Sequence, residues 1–405
     1  MLYPAELWAV NITSIKKTTF AYQGHPNSTG RTMHLNEITV LALEQAVAAP
    51  YASGRLAEEG ARVIKVERPE GDFAREYDKA VKDMSAYFVW LNSGKESVAL
   101  DLKIADDKKL LINMLKRADV FIQNISPGAI SRLGIQLLEI RKQNPGLITC
   151  SINGYGEQGP YKDQKAYDLL IQAESGLCSV TGIGEQLTRV GVSVSDIAAG
   201  MNAYQEILLA LYRREKDPQK KGEDISVSLF HSSADWMNVP YLQYIYGGKM
   251  PKNLGLEHPT IAPYGSFTTL ENKQILISVQ NQREWERFCD RVLNRPRLKE
   301  HKLFLNNPDR VKNRADLNQI IDGIFSCTRE KELIERLSEA GVAFGRINDV
   351  AALRNHPQAQ FRRVQTKKGQ VTMLGRGARK ELSTEKMLQI PDLNEHGEKI
   401  RAEFS

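Results

Sequence analysis

The sequence predicts an α/β protein whose main domain is a doubly wound parallel sheet, and two observations support this fold class. Short apolar runs alternate with helical patterns over the first half of the chain. This alternation is typical of strand–helix–strand units, which pair their strands in parallel through right-handed crossovers. After about residue 250, adjacent short strands predict a smaller α+β domain. We expect an N-terminal extension, a large domain, a linker, a small domain and a return to the large domain at 1–37, 38–225, 226–249, 250–340 and 341–405.

The elements of the large domain follow in regular order. The predicted strands are mostly apolar and span 38–43, 62–66, 97–100, 120–123 and 147–152. The predicted helices span 49–59, 105–116, 127–133 and 136–142. Pro50 suits the first turn of its helix, where a missing N–H costs no hydrogen bond.

The second half begins with a strand at 225–229 and an aromatic segment at 232–246. We expect a buried helix or an interface in this segment because of Trp236, Tyr241, Tyr244 and Tyr246. An antiparallel strand pair is predicted at 264–269 and 274–279, with helices around 284–292, 314–327 and 331–340. Strand signals near 343–347 and 370–373 belong to the returning segment.

One carboxylate lies at a junction of two patterns in residues 189–200, RVGVSVSDIAAG. Val190, Val192 and Val194 alternate with small residues, which predicts a strand edge, and apolar residues at helical spacing follow. Asp196 lies between these patterns and is our candidate nucleophile. The alternative is an N-cap, in which the carboxylate only accepts backbone N–H groups.

Composition restricts the class of protein. The 405 residues include 55 Lys and Arg and 49 Asp and Glu, which favours a polyanionic small ligand over nucleic acid. No apolar run reaches the roughly 20 residues of a membrane span. Residues 1–37 predict either an organellar (for example mitochondrial) leader or a disordered or strand-like extension. The cysteines lack metal-ligand spacing and predict buried free thiols in a reducing, cytoplasmic compartment: Cys150, Cys178, Cys289 and Cys327.

Several segments together form a specific pattern: AVAAPYASGRLAEEGARVIKVERPEGD at 46–72, LNSGKESVALDLK at 91–103, DVFIQNISPGAISRLG at 119–134, INGYGEQGPYKDQKAYDLLIQAESGL at 152–177, RVGVSVSDIAAG at 189–200, HPTIAPYGSF at 258–267 and PDLNEHGEKI at 391–400. In this order they resemble the class III coenzyme A transferases, the CaiB/BaiF family that includes formyl-CoA transferase and carnitine-CoA transferase.

The resemblance implies that Asp196 is a covalent nucleophile. Its attack on an acyl-CoA thioester would give a mixed anhydride, and returning CoA thiolate would give an aspartyl-CoA thioester. Backbone N–H groups at the start of the following helix are the expected oxyanion donors, and a closing loop is expected to exclude water. Related racemases carry a His before the Asp at position 168, whereas this chain has Tyr167, a poor base at neutral pH. This difference favours transfer over racemisation. Tyr167 is a candidate catalytic residue that would form a hydrogen bond near Asp196, and a core aromatic is the alternative.

Carried over by position, the resemblance implies contacts with coenzyme A from Val47, Ala48, Arg68, Leu100, Asn124, Ile125, Ala129, Arg132 and Lys165. The three cations of this set suit the phosphates of CoA, and solvated surface cations are the alternative. Two positions depart from the family pattern, because Val47 replaces a glutamine and Glu96 replaces a cation.

The segment 258–264, HPTIAPY, replaces the run of glycines that formyl-CoA transferases use as a lid. It resembles the branch that uses succinyl-CoA with short dicarboxylates such as mesaconate, itaconate, malate or citramalate. His258 and Arg189 are candidates for binding the second carboxylate, and a structural hydrogen bond is the alternative for His258.

The resemblance also implies the architecture and the assembly. A Rossmann-like large domain is formed by both chain ends, and two identical subunits are threaded through each other like linked rings. CoA and acyl-CoA are expected as substrates beside a small carboxylic acid, without a permanently bound cofactor or metal. Two rival functions are a 2-methylacyl-CoA racemase-type isomerase, which needs no acceptor acid, and a non-catalytic CoA-binding protein.

Overall fold

A computed structural model describes residues 35–377 and 387–405, so most of the predicted N-terminal extension lies outside the described residues. The strands are β1 Thr39–Leu43, β2 Arg62–Glu67, β3 Lys95–Ala99, β4 Val120–Gln123, β5 Ile148–Asn153, β6 Gly182–Gly184, β7 Gln186–Leu187, β8 Asp224–Ser228, β9 Asn253–Leu254, β10 Tyr264–Thr268, β11 Gln274–Ser278, β12 Ala343–Arg346, β13 Phe361–Thr366, β14 Gly369–Leu374 and β15 Leu388–Gln389. The α-helices are α1 Ala48–Glu58, α2 Ala86–Leu91, α3 Ala105–Leu115, α4 Ala129–Arg132, α5 Leu137–Gln143, α6 Asp168–Glu174, α7 Val194–Lys216, α8 Leu229–Trp236, α9 Asn238–Gly247, α10 Gln282–Arg287, α11 Asn307–Lys312, α12 Arg314–Phe325, α13 Glu330–Ala340, α14 Val350–Arg354 and α15 Gly397–Phe404.

Six parallel strands form the main sheet in the order β3-β2-β1-β4-β5-β8. The chain moves outward from β1 to β3 and then returns to place β4 on the other side of β1. The strand order therefore reverses between β1 and β4. The predicted α/β fold with a parallel central sheet is confirmed.

Helices cover both faces of this sheet, because its strands are apolar on both sides. Val40 and Ala42 of β1 pack with α1 and α7 on one face. Leu41 and Leu43 pack with α3 and α15 on the other face. The C-terminal helix thus completes a layer that the N-terminal half of the chain begins.

A second sheet of three antiparallel strands consists of β10, β11 and β12. It packs with α10, α12 and α13 around Phe267, Trp285 and Phe325. The predicted strand pair is confirmed. β12 pairs with β11 and so extends this second sheet, whereas the sequence pattern assigns residues 341–405 to the large domain.

Other local predictions are wrong. Residues 190–193 form a loop instead of a strand, and α7 begins at Val194 with Ser193 as its N-cap. Asp196 is therefore in the first turn of the helix and is not the N-cap. The aromatic segment forms α8 and α9, and α9 has no buried residue, so the alternative of a buried helix is wrong there and the interface stays a prediction. All four cysteines are free, but Cys178 is half-buried and Cys327 is exposed, so the prediction of buried thiols is wrong for these two. Within the described part of the chain, every helix is too short or too polar to cross a membrane.

Candidate active site

The carboxyl ends of the parallel strands meet at one edge of the main sheet, and the predicted CoA contacts follow these ends. They are Val47 and Ala48 after β1, Arg68 after β2, Leu100 after β3, Asn124, Ile125, Ala129 and Arg132 after β4, and Lys165 after β5. In a doubly wound sheet, ligands bind at this edge where the strand order reverses, which here is between β1 and β4. The sheet therefore brings the set to the edge where a ligand is expected.

Asp196 lies at the same edge because of the direction of α7. β8 follows α7 and is parallel to β5, so α7 runs back along the sheet and begins at the carboxyl edge. Gly200 is one turn after Asp196 and shares its side of the helix. A Cβ atom on Gly200 would lie 2.6 Å from the carbonyl oxygen of Ala48 in α1. This close approach of the two helices brings Asp196 next to the β1–α1 turn.

The carboxylate of Asp196 is half-buried and makes no hydrogen bond or ion pair with a described residue. Burial, followed by the negative charge of Asp168, raises the pKa of Asp196 to about 7. A carboxylate with a raised pKa and no neutralising cation is a better nucleophile than an ordinary surface Asp. The electrostatics therefore suit the predicted chemistry.

Two side chains of α6 hold the chain that leads into α7. The carboxylate of Asp168 accepts the N–H of Ser195 at 2.8 Å and the side-chain amide of Gln172 at 2.7 Å. The buried Gln172 accepts the N–H of Val190 at 2.8 Å. These contacts fix the first turn of α7 and so orient Asp196. Sequence reasoning used Asp168 only to separate transferases from racemases and did not find this role.

Two tyrosines lie in the neighbourhood of this carboxylate. Tyr167 precedes α6 and is 65% exposed, so the alternative of a core aromatic is wrong. No hydrogen bond joins Tyr167 to Asp196 within the described residues. Burial, followed by the charges of Asp72 and Asp196, raises the pKa of Tyr77 to about 12. Tyr77 is thus within electrostatic reach of Asp196, and no motif around Tyr77 predicts this interaction.

The turn between β1 and α1 offers unpaired backbone donors. The N–H groups of Val47, Ala48 and Ala49 donate no hydrogen bond to a described residue, although each residue is at most 3% exposed. Unpaired buried N–H groups are rare and costly, and at a helix N-terminus they attract negative charge. This turn can therefore bind an anionic atom of a ligand.

The oxyanion donors predicted at the start of α7 are largely occupied. The N–H of Ser195 is bound to Asp168, and the N–H of Ile197 donates to the carbonyl oxygen of Ser193 at 2.9 Å. The prediction is wrong for these two groups. The β1–α1 turn offers open donors in their place.

The three predicted phosphate-binding cations are exposed. The side chains of Arg68 and Lys165 make no hydrogen bond or ion pair with a described residue. Arg132 donates to the carbonyl oxygen of Pro127 at 2.9 Å and forms no ion pair with a described residue. All three cations are therefore available to an anionic ligand.

A cavity of about 260 Å³ opens at the ends of β4 and β5. Its lining includes Ile125, Gly128, Ser151 and Lys162. The cavity adjoins the predicted CoA contacts after β4.

Leu100, another predicted contact, has its side chain in the sheet core, so only its backbone can face a ligand.

Asn124 has a structural task in addition to its predicted contact. Its side-chain amide donates to the carbonyl oxygen of Gln45 at 2.8 Å, and its side-chain oxygen accepts the N–H of Gln45 at 2.9 Å. This pair of bonds joins the end of β4 to the β1–α1 turn. These two hydrogen bonds lie where the strand order of the main sheet reverses.

His258 lies in a segment that α11 and α12 hold in place. The side chains of Asn307, Arg310 and Arg314 bind backbone groups throughout 258–262. The imidazole Nδ1 accepts the N–H of Thr260 at 3.2 Å, which leaves Nε2 as a donor. Burial and the charge of Arg314 lower the pKa of His258, so the ring is neutral at physiological pH.

The predicted substrate residues, Arg189 and His258, are connected to the site only through neighbouring segments of the chain. Arg189 is exposed in the loop before α7. β9, which leads to His258, pairs with β6 of the hairpin that precedes this loop. No hydrogen bond joins either side chain to Asp196 within the described residues.

Comparison with known proteins supports the same interpretation. The model of CoA-transferase family III matches residues 35–397. The acetyl-CoA:oxalate CoA-transferase of Acetobacter aceti is 34% identical over 91% of this chain and 95% of its own length. The succinyl-CoA:glutarate CoA-transferase of Mus musculus is 32% identical over 81% of this chain and 76% of its own. A CAIB/BAIF family protein from Brucella suis, 30% identical, superposes with a TM-score of 0.77 over 92% of this chain and 99% of its own. This chain therefore belongs to CoA-transferase family III and is a CoA-transferase that uses CoA thioesters.

Proposed function

We propose that this enzyme moves CoA from an acyl-CoA to a free carboxylic acid through covalent intermediates on Asp196. The observation that carries the proposal is the carboxylate itself. It is unpaired among the described residues, its pKa is raised to about 7, and it lies beside a turn with open N–H donors. The rest of the site is arranged around these features.

The first half-reaction starts when a carboxylate oxygen of Asp196 attacks the thioester carbonyl. The C–S bond breaks, CoA leaves as a thiolate, and a mixed anhydride joins Asp196 to the donor acyl group. The thiolate then attacks the carbonyl carbon of Asp196, which releases the donor acid and leaves an aspartyl-CoA thioester. No proton is gained or lost overall.

The second half-reaction is the reverse with a different acid. The acceptor carboxylate attacks the aspartyl-CoA thioester, thiolate leaves, and a new anhydride forms. The thiolate attacks the acceptor's acyl carbon, which gives the new acyl-CoA and frees Asp196. Each of these four attacks develops an oxyanion. The N–H groups of Val47, Ala48 and Ala49 are the donors that we assign to it, because those at the start of α7 are largely occupied.

CoA recognition is assigned to the carboxyl edge of the main sheet. Arg68, Arg132 and Lys165 would pair with the pyrophosphate and the 3′-phosphate, since their charges are not neutralised by described residues. The cavity beside Ile125 and the backbone after β3 and β4 would receive the remainder of the ligand, including contacts at Leu100, Asn124 and Ala129.

We propose a short dicarboxylate as the acceptor and succinyl-CoA as the donor. The named relatives act on oxalate and on glutarate with succinyl-CoA or acetyl-CoA, which supports this class of acids. Mesaconate, itaconate, malate and citramalate belong to the same class. The Nε2–H of His258 and the guanidinium of Arg189 are candidates for the second carboxylate, and the exposed Tyr167 is a candidate contact beside Asp196.

We also propose that the enzyme is a homodimer with interlocked subunits. α8 and α9 expose several large apolar side chains, which a monomer would leave in water: Trp236, Tyr241, Leu242, Tyr244, Ile245 and Tyr246. Sedimentation velocity of the full chain tests this proposal. A stable monomer would contradict it.

A transfer assay with a covalent trap tests the function. The enzyme is mixed with succinyl-CoA and one acid at a time, and the acyl-CoA products are read by mass spectrometry. We expect new acyl-CoA with dicarboxylates, and hydroxylamine labelling of Asp196 only when acyl-CoA is present. The Asp196→Ala variant should bind CoA without transferring it. Exchange of the α-proton without an acceptor acid would support a racemase instead, and binding without any turnover by the wild type would support a non-catalytic role.

A further inference from the structure

Four fully buried charged side chains lie next to the β1–α1 turn. The ammonium of Lys65 is 2.9 Å from a carboxylate oxygen of Asp72 and 3.4 Å from one of Glu44. The ammonium of Lys95 is 2.6 Å from the same oxygen of Glu44. All four side chains have 0% exposure or close to it. The two cations and two anions form a neutral cluster.

The cluster is bonded directly to the backbone of the turn and of α1. The second carboxylate oxygen of Asp72 accepts the N–H of Ala46 at 3.1 Å. Lys95 donates to the carbonyl oxygen of Pro50 at 3.1 Å, and the hydroxyl of Ser53 donates to Glu44 at 2.6 Å. These bonds from the charged side chains therefore fix the β1–α1 turn and the N-terminal half of α1.

Ala46 is the strained residue of this turn. Its φ of 63° lies in the left-handed region, which is unfavourable for a residue with a Cβ atom. Such a conformation persists only when its surroundings impose it. The hydrogen bond from Ala46 to Asp72 is part of what imposes it, and the three open N–H groups follow directly after Ala46.

Stability alone does not explain four buried charges. Replacing a buried ion cluster by apolar residues of similar volume is often neutral or stabilising, because desolvation offsets the attraction between the ions. What such a cluster adds is a defined geometry at the groups to which it is bonded. Here those groups are Ala46, Pro50 and Ser53, which frame the open donors.

We infer that Asp72, held by Lys65 within this cluster, is a positioning residue that fixes Ala46 in its left-handed conformation and thereby aims the N–H groups of Val47 and Ala48 at the CoA thioester. Asp72 acts through the turn and does not touch the substrate. This inference rests on the proposed function, since it assumes that the turn binds acyl-CoA.

Binding of succinyl-CoA to a catalytically silent protein tests the inference, because succinyl-CoA carries the thioester that free CoA lacks. The Asp196→Ala protein is titrated with succinyl-CoA by calorimetry, with and without Asp72→Ala, and folding is checked by circular dichroism. We expect Asp72→Ala to raise the Kd at least fivefold. In the active enzyme the same change should also lower kcat, because we assign the same N–H groups to the oxyanions of both half-reactions. A smaller rise in Kd for a folded protein overturns the inference.

Asp119→Ala is the matched control. Asp119 also accepts a backbone N–H, from Thr39 at 2.9 Å, and also pairs with a cation, Arg214 at 3.0 Å, but it lies at the opposite edge of the sheet. It should lower the melting temperature without changing the Kd for succinyl-CoA. If it weakens succinyl-CoA binding as much as Asp72→Ala does, the effect is general destabilisation and the inference is wrong.

Two variants of Ala46 test the turn without disturbing the charges. Ala46→Val places a β-branched residue in the left-handed region, so it should weaken succinyl-CoA binding at least fivefold even if Asp72→Ala fails to fold. Ala46→Gly removes the strain, so it should recover at least part of the succinyl-CoA affinity that Asp72→Ala loses. Normal binding by folded Ala46→Val overturns the inference. Absence of succinyl-CoA binding to the Asp196→Ala protein itself overturns the proposed function as well.

Discussion

Asp168 acts on Asp196 in two ways at once. Its carboxylate accepts the N–H of Ser195, the residue directly before Asp196, and so fixes the turn that carries the nucleophile. Its negative charge adds to burial in raising the pKa of Asp196 to about 7. One side chain therefore controls both the position and the basicity of the proposed nucleophile.

The transfer rate should increase with pH through about 7, because only the ionised carboxylate of Asp196 attacks the thioester. We expect kcat/KM for succinyl-CoA to rise about tenfold per pH unit below this value and to level off above it. Initial rates between pH 5 and 9 measure the profile. A flat profile across pH 6 to 8 contradicts the assignment.

Asp168→Asn should move the midpoint of this profile to lower pH. The amide oxygen can still accept the N–H of Ser195, but the negative charge that raises the pKa of Asp196 is gone. Asp168→Ala should show the same shift and also a lower rate at high pH, because it loses the hydrogen bond. Identical profiles for the wild type and Asp168→Asn would show that burial alone sets the pKa.

Asp196→Asn should be more stable than the wild type at pH 8 and not at pH 4. The folded protein holds the proton of Asp196 up to about pH 7, whereas the unfolded chain releases it near 3.9. The stability of the wild type relative to the variant is therefore fully present below pH 4 and is lost as the pH rises through about 7. Thermal melts at several pH values measure the difference. A constant difference contradicts the raised pKa.

Gly200→Ala should disturb the contact between α7 and α1. The added methyl group would lie 2.6 Å from the carbonyl oxygen of Ala48 and 2.9 Å from the Cβ of Tyr51. We expect a lower melting temperature and a higher KM for acyl-CoA. Gly323→Ala, in the exposed side of α12 with open space around it, is the control and should stabilise the protein by about 0.5 kcal/mol.

Neutralising the exposed cations at the sheet edge should weaken the binding of acyl-CoA. Arg68→Gln and Lys165→Gln should each raise the KM for succinyl-CoA severalfold, with little change in kcat, and the effect should shrink at high salt. Lys331→Gln, whose side chain is 90% exposed on α13, is the control. Equal effects of all three variants would point to the total charge of the protein instead of a local site.

The sequence predicts regular elements well where periodicity is strong. β4 is found at its predicted position, and the apolar runs of the other parallel strands lie close to theirs, because burial on both faces requires continuous apolar residues. The alternation from Val190 to Val194 is misleading, since a side chain from α6, Gln172, holds this stretch as a loop. Such tertiary contacts override local pattern.

The candidate site is predictable from the sequence where a residue is marked by the motif around it, as Asp196 is. It is not predictable where a role depends on residues that are distant in the sequence and meet in the fold. The contact of Asp168 with the first turn of α7 spans 27 positions of the sequence. The electrostatic interaction between Tyr77 and Asp196 likewise joins two segments that meet only in the fold. The exposure of α9 cannot be predicted from the sequence either, because a helix that packs in a core and a helix that packs against a partner have the same apolar pattern.

The anchored backbone of 258–262 has a practical consequence for engineering acceptor choice. Asn307, Arg310 and Arg314 bind this segment through its main chain, and these bonds do not depend on the identity of the segment's own side chains. The bond from the N–H of Thr260 to the imidazole of His258 does depend on one of them. Because we propose that His258 binds the acceptor acid, we expect libraries that vary His258 to change acceptor choice while the three anchors still hold the main chain. Changes to the three anchoring side chains would instead move the main chain itself.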